Sequence, residues 1–307
     1  MKAHSVLLAL FLLIGYTINI VAQVDRNLRF THLTNDNGLP TNTIYSLCQD
    51  FKGFIWIATA NGLCKYDGRS ISVYEVEPTK GERKKGGIIR HVFEDKRHRL
   101  WVITHKGVNL YNRNKDNFNF VSVDSLNNFS RVIYQDDKGK IYMGGSGAFI
   151  YNEQTSKFDP FYVNQDETIT AFITAITSDQ KGQMWFGRMY GGLICADVEN
   201  GKLTRYKHND HNINSLISNK VTSLFTDHHG RIWIGTEDKG ICYFDSSTNK
   251  FIRIEGFPQI CVRTFAEDAE GNIWIGSENG LYIYLSDENK FINYKQNYND
   301  KYSLNDN

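Results

Sequence analysis

The stretch DHHGRIWIGTEDKGICYFD, residues 227–245, decides the fold of this chain. Asp227 opens an Asp-x-x-Gly step. Aspartate accepts hydrogen bonds from its own turn, and glycine takes the positive φ that a tight hairpin needs. Ile232-Trp233-Ile234-Gly235 then reads as a strand with one large aromatic to bury, and a glycine-containing loop leads to a further strand ending at Asp245. The unit recurs as DFKGFIWIATANGLCKYD from Asp50, DKRHRLWVITHKGVNLYN from Asp95 and DDKGKIYMGGSGAFIYN from Asp136. DQKGQMWFGRMYGGLICAD from Asp179 and DAEGNIWIGSENGLYIYL from Asp268 complete the set. Each aspartate stands six residues before Trp56, Trp101, Tyr142, Trp185, Trp233 or Trp274, and the aromatics step by 45, 41, 43, 48 and 41 residues. His98 replaces the turn glycine in the second copy.

Working outward, an apolar segment precedes each aspartate (Ile44 to Cys48, Ile89 to Phe93, Val221 to Phe225, Val262 to Ala266). An apolar pair three apart follows each unit: Ile71/Tyr74, Phe118/Val121, Phe158/Phe161, Leu203/Tyr206, Phe251/Ile254 and Phe291/Tyr294. Four strands per repeat of this length make the blade of an all-β, antiparallel β-propeller, with a solenoid as the structural rival. The expected blades are 42–78, 88–123, 129–164, 171–208, 219–255 and 261–295 within a propeller domain of residues 23–307. Residues 28–34 repeat the fourth-strand pattern (Phe30, Leu33) ahead of the first blade. They read as the outer strand of a seventh, closing blade whose inner strands the sequence does not contain. The expectation is a truncated seven-bladed propeller, against a six-bladed one with that segment packed elsewhere.

Composition agrees with a packed domain: 41% hydrophobic residues, with 5 Trp, 17 Tyr and 19 Phe. A net charge of +1 supplies no basic field for nucleic acid. Residues 1–22 have the charged start, apolar middle and small residue (Ala22) of a secretory signal peptide, so the expected location is the periplasm, with an uncleaved anchor as the alternative. Membrane attachment is expected only if a longer protein follows. Cys48, Cys64, Cys195, Cys242 and Cys261 lack metal-like spacing and read as small buried hydrophobes, although export would permit a bridge.

The segment Leu33-Thr34-Asn35-Asp36-Asn37-Gly38-Leu39-Pro40 leading into Thr43–Leu47, with the repeated Gly-x-Ile-Trp-Ile-Gly-Thr block, resembles the two-component regulator propeller repeat. The chain is similar to the periplasmic sensor region of Bacteroides-type hybrid histidine kinases over residues 28–307. The resemblance implies sensing of oligosaccharides from glycan breakdown and control of their use. The kinase would lie downstream, since no phosphoacceptor helix, ATP-binding lid or membrane span follows here. Homodimerisation is a further expectation attached to it.

No His-Glu-x-x-His, phosphate loop or nucleophile elbow appears, and neither catalytic residues nor a cofactor is expected. Gly144-Gly145-Ser146-Gly147 reads as a turn, and Arg83-Lys84-Lys85 as well as His208-x-x-His211 read as solvated loops. One constellation emerges when blades are superposed. Five residues before each turn aspartate stand Tyr45, Arg90, Arg131, Thr174, Thr222 and Arg263, at one mouth of the central channel. Loops on the same face bring His105, Arg188, Tyr190, Glu237 and Asp238. Arginine suits bidentate capture of carboxylate or sulfate. In this reading Arg90, Arg131 and Arg263 take the acid group of an anionic oligosaccharide, while Tyr45 and Tyr190 stack its ring. The competing reading pairs the arginines with Glu94, Glu267 or backbone carbonyls. A non-catalytic ligand sensor is the expected function; a free-standing secreted scaffold or a polysaccharide-degrading enzyme is the alternative, and fold alone does not choose.

Overall fold

A computed structural model of the chain describes residues 28–76, 87–123, 130–164, 167–169 and 171–306. The expected signal peptide and Arg83-Lys84-Lys85 lie outside the described residues. Six sheets, each of four antiparallel strands in chain order, form the six blades. Blade 5 comprises Val221–Thr226, Ile232–Thr236, Ile241–Asp245 and Lys250–Arg253. The innermost strands of the others are Ile44–Gln49, Ile89–Glu94, Ser130–Gln135, Ile173–Ser178 and Val262–Glu267. A hairpin of Tyr162–Asn164 and Glu167–Thr168 lies between blades 3 and 4, and a 3-10 turn, Asn35–Asn37, precedes blade 1.

The turn aspartates do more than shape the turn. In blade 1, Asp50 Oδ1 accepts the backbone N–H groups of Lys52 (3.0 Å) and Phe54 (3.1 Å), and Oδ2 accepts the Trp56 indole N–H at 2.9 Å. The indole bond recurs at Asp95–Trp101 (2.9 Å), Asp179–Trp185 (3.1 Å), Asp227–Trp233 (2.8 Å) and Asp268–Trp274 (2.9 Å). The Tyr142 hydroxyl reproduces it on Asp136 at 3.2 Å. This explains both the invariant spacing within the chain and the one substitution it contains: the position needs a large ring with a donor at its far edge. Burial opposes the charge on Asp50. The donors from Trp56, Arg113 and the two N–H groups outweigh it and hold the carboxyl below its ordinary range.

Blades stack through the same tryptophans. Trp56 meets Tyr111 of the next blade at 5.0 Å between ring centroids, Trp101 meets Tyr151 at 4.9 Å, Trp185 meets Phe244 at 4.8 Å and Trp233 meets Tyr284 at 5.5 Å. The glycine after the Trp-x pair has a packing reason. A Cβ on Gly144, Gly187 or Gly235 would sit 2.6, 2.6 or 2.7 Å from Ile173, Val221 or Val262 of the following blade. In blade 2, Ile103 holds the glycine position and Ser130 holds the β-branched one, so the volume is exchanged rather than lost.

Successive innermost strands pack together from blade 1 to blade 6, but Val262–Glu267 and Ile44–Gln49 do not pack in this way. The two outer faces register the gap. Leu47 is 63% exposed, whereas at the same register Val92, Ile133, Ile176 and Phe265 are 2–8% exposed and Leu224 is half-buried. Trp274 is half-buried, whereas Trp56, Trp101, Trp185 and Trp233 are fully buried. Residues 28–34 form no strand ladder among the described residues. They lie beside blade 6: the Phe30 N–H donates to Tyr302 O (2.8 Å), His32 Nε2 is 2.8 Å from Ser303 O, and the Phe30 ring stands edge-on to Tyr294. Leu39 packs on Ile57 and Cys64 of blade 1. All five cysteines are free, four buried and Cys48 half-buried.

Candidate functional site

Every innermost strand slips register against its neighbour between its first and third residues. The residue left out of the ladder is Tyr45, Arg90, Arg131, Thr174, Thr222 or Arg263, the set singled out by superposing the repeats. A β-bulge leaves its extra residue unpaired and re-aims the side chain, and bulges gather at rims and beside sites. Six in register turn one residue per blade out of the sheet at one end of the propeller.

Two of them serve the fold. Thr174 Oγ donates to Val221 O and Thr222 Oγ to Val262 O, both at 2.6 Å, sewing blade 4 to 5 and blade 5 to 6. The arginines behave differently. Arg131 is half-buried, with its guanidinium 5.8 Å from the centroid of the Phe172 ring. Burial, then the charges of Arg90 and Arg263, press its pKa below the ordinary arginine value. Arg90 is half-buried, and exposed Arg263 pairs with Glu278. The carboxylates proposed as alternative partners are engaged at the other end of the strands. Glu94 accepts the Phe51 N–H (3.1 Å) and Arg113 (3.2 Å), and Glu267 accepts the His228 N–H (3.0 Å). Among the described residues, no carboxylate pairs with Arg131.

The loops between second and third strands open on the same end. The Met189 N–H donates to Phe172 O (3.1 Å), Lys220 Nζ is 3.2 Å from Glu237, and Gly87 lies against the His105 ring. Arg188, however, curls back to donate to Gly191 O; burial and then Arg205 lower its pKa. Tyr190 is 74% exposed, and Tyr45 stands at the open edge of blade 1. The structure therefore gathers Arg90, Arg131 and Arg263, neutralises the last with Glu278, and turns Arg188 away. Phe172 was not anticipated. Its signal was an aromatic immediately before an innermost strand, two residues ahead of the bulge.

Asp238 accepts from Ser218, so the acidic pair on blade 5 is committed to its own loop. His208 contacts Leu216 O (2.7 Å) and Asp210 (2.8 Å), bracing the connection between blades 4 and 5. Among the described residues no three His, Cys, Asp or Glu side chains converge as a metal site, and no helix is long and apolar enough to cross a membrane.

The two component regulator propeller family matches residues 38–61, 215–238 and 256–279. Two solved structures from B. thetaiotaomicron are similar. Both are extracellular domains of proteins described as hybrid two component systems. One is 23% identical with a TM-score of 0.78, covering 91% of this chain and 38% of its own. The other is 25% identical with a TM-score of 0.75, covering 92% and 36%. The chain thus spans less than two-fifths of those domains. A virginiamycin B lyase from Staphylococcus aureus shares the fold at 16% identity and a TM-score of 0.66, covering 87% of this chain and 88% of its own. No curated protein matches in sequence.

Proposed function

We propose, for this two-component regulator propeller repeat protein, the role of the ligand-sensing propeller of a periplasmic two-component system. Its ligand is an oligosaccharide released by glycan breakdown, and its signal passes to a kinase outside the residues described. The observation that carries the reading is the ring of six bulges. Threonine fills it where only blade-to-blade bonding is needed, and long cationic or aromatic side chains fill it elsewhere. The likeness to extracellular domains of two component systems supports the sensing role. Arg90, Arg131 and Arg263 form the floor of the site, with Tyr45, His105, Arg188 and Tyr190 at its margin.

The gap between blades 6 and 1 is the place of a seventh blade, for which residues 28–34 supply the outer strand. The exposed Leu47 and half-buried Trp274 are the two halves of the interfaces that blade would complete. Homodimerisation belongs to the same reading.

The test is a panel of glycan fragments screened by thermal shift, with a reducing-end assay on the same mixtures. The sensing role predicts that at least one fragment raises the melting midpoint and none is cleaved. A lyase of this fold exists, so cleavage without stabilisation would favour the enzyme alternative instead.

A further inference from the structure

The two faces of the gap between blades 6 and 1 specify what fits between them, an inference that rests on the seventh-blade reading above. The outer position is already taken. After blade 4, the Asn209 N–H donates to Ser215 Oγ and that hydroxyl donates back to Asn209 O, both at 3.0 Å. Asn214 O in the same loop accepts the N–H of Phe251, in the outer strand of blade 5, at 3.1 Å. After blade 6, Asn297 and Ser303 make the same reciprocal pair, at 2.8 and 3.0 Å, and Tyr302 O accepts the Phe30 N–H. Phe30 therefore stands to blade 6 as Phe251 stands to blade 4. With Phe30 held on blade 6 and Leu39 on blade 1, the outer side of the gap is strapped, and three strands rather than four fit inside it.

The walls carry complementary steps. Ile44, the first residue of blade 1, is 38% exposed, whereas Ile89, Ile173, Val221 and Val262 at the same position are at most 1% exposed. Ile173, Val221 and Val262 each fill the space beside a glycine of the preceding blade, so Ile44 calls for glycine or alanine two residues after the tryptophan of its neighbour. On the other wall, a Cβ on Gly276 would meet only Thr264 of its own blade within 4 Å, which leaves room for a β-branched residue from outside. The polar ends repeat as well. Gln135 Nε2 donates to Gly139 O (3.0 Å) while its Oε1 accepts the Lys96 N–H of the preceding blade (2.8 Å). Gln49 makes the first bond, with Gly53 O (3.3 Å), and its Oε1 accepts no described N–H. It is set for the N–H that follows a turn aspartate. By the rule that joins the Phe51 N–H to Glu94 and the His228 N–H to Glu267, the Ala269 N–H takes a Glu or Gln standing just before that aspartate.

We infer that the gap binds a three-stranded antiparallel meander of the repeat's own type. Its first strand opens on a β-branched residue and ends in Glu or Gln, Asp-x5-Trp follows, glycine or alanine stands two residues after the Trp, and the third strand brings an aromatic ring to Trp274. Residues 261–285 of blade 6 meet every term, through Val262, Glu267, Asp268, Trp274, Gly276 and Tyr284. A labelled synthetic copy of 261–285, titrated into the purified chain, should bind saturably and raise the melting midpoint. The same segment fused after Asn307 should raise it further, because tethering removes much of the cost of association. Leu47→Asp in the chain should weaken the peptide about tenfold or more, and Val73→Asp, exposed on an outer strand, should not. Peptide carrying Gly276→Val should lose about tenfold against Ile44, and peptide carrying Glu267→Ala about fivefold. Equal affinity of all three peptides, with Leu47→Asp blocking each, would overturn the sequence terms and leave a seventh blade standing. Saturable binding unaffected by Leu47→Asp, no effect of the peptide or the fusion, or a dimer of the free chain that Leu47→Asp dissolves would overturn the proposal and the seventh-blade reading together. Glycan binding scored on the same variants tests the sensing role separately.

Discussion

Replacing Trp233 with phenylalanine isolates the bond that the repeat spacing encodes. Asp227 is buried, and its Oδ2 accepts from Trp233 Nε1 at 2.8 Å and from Arg231 Nε at 2.6 Å. Phenylalanine keeps most of the packing against Tyr284 of the next blade but removes the donor. A hydrogen bond to a charged group contributes about 1.5–3 kcal/mol, and the smaller ring adds a fraction of a large-to-small core penalty. The expected loss is therefore about 2–4 kcal/mol. Trp274→Phe removes the same bond in blade 6, where the ring is only half-buried and water can replace the lost donor, so about 1 kcal/mol is expected there. Guanidinium unfolding followed by circular dichroism measures both, since removing one of the five tryptophans changes the fluorescence signal itself. Repeat arrays can lose cooperativity, so midpoints at several wavelengths must coincide before free energies are compared. Equal losses in the two variants, or a loss below about 0.5 kcal/mol for Trp233→Phe, would refute the role given to the bond.

Other outcomes follow from the same geometry. Val92→Asp should cost about 3 kcal/mol or more by burying a charge between blades 1 and 2, while Leu47→Asp at the same register should be within about 0.5 kcal/mol of wild type; comparable losses would mean the gap is filled. Gly187→Val should cost about 1–3 kcal/mol through overlap with Val221, read by thermal denaturation. Burial pushes the His91 imidazole down to about 4 from 6.5. The unfolded chain then binds the extra proton first, so stability is full above pH 6.5 and falls toward pH 4, by on the order of 3 kcal/mol. His91→Gln should flatten that slope in urea midpoints. Burial pushes Cys195 and Cys242 up to about 12 and Cys64 to about 11, so native protein should react slowly with a disulfide reagent at pH 8, whereas all five thiols should react in denaturant.

The blade count and strand order were legible because Asp-x5-Trp is a bonded pair, and a bonded pair keeps its spacing when loops do not. Position was legible for the same reason: the residue five before each aspartate is the bulge, and aligning repeats finds it without knowing that it is one. What lay beyond reach were contacts made by residues outside the register. Phe172 stands directly ahead of the innermost strand of blade 4, and Arg188 spends its guanidinium on Gly191 three residues away. The partners of Glu94 and Glu267 differ from those the repeat suggests. The strand places the sixth residue far from the second, so those acids serve the turns of neighbouring blades instead of the arginines. The segment 28–34 carries a strand-like pattern, yet a pattern alone makes no ladder without a strand beside it.

The most direct test of the account is a hydrogen-exchange footprint of the ligand that emerges from the glycan panel. Slower exchange should be confined to residues 88–91, 130–132 and 171–174 and the loop around Tyr190, with the outer strands unchanged. Protection on the outer strands, or none at the bulges, would contradict the claim that the bulged mouth is where this propeller reads its ligand.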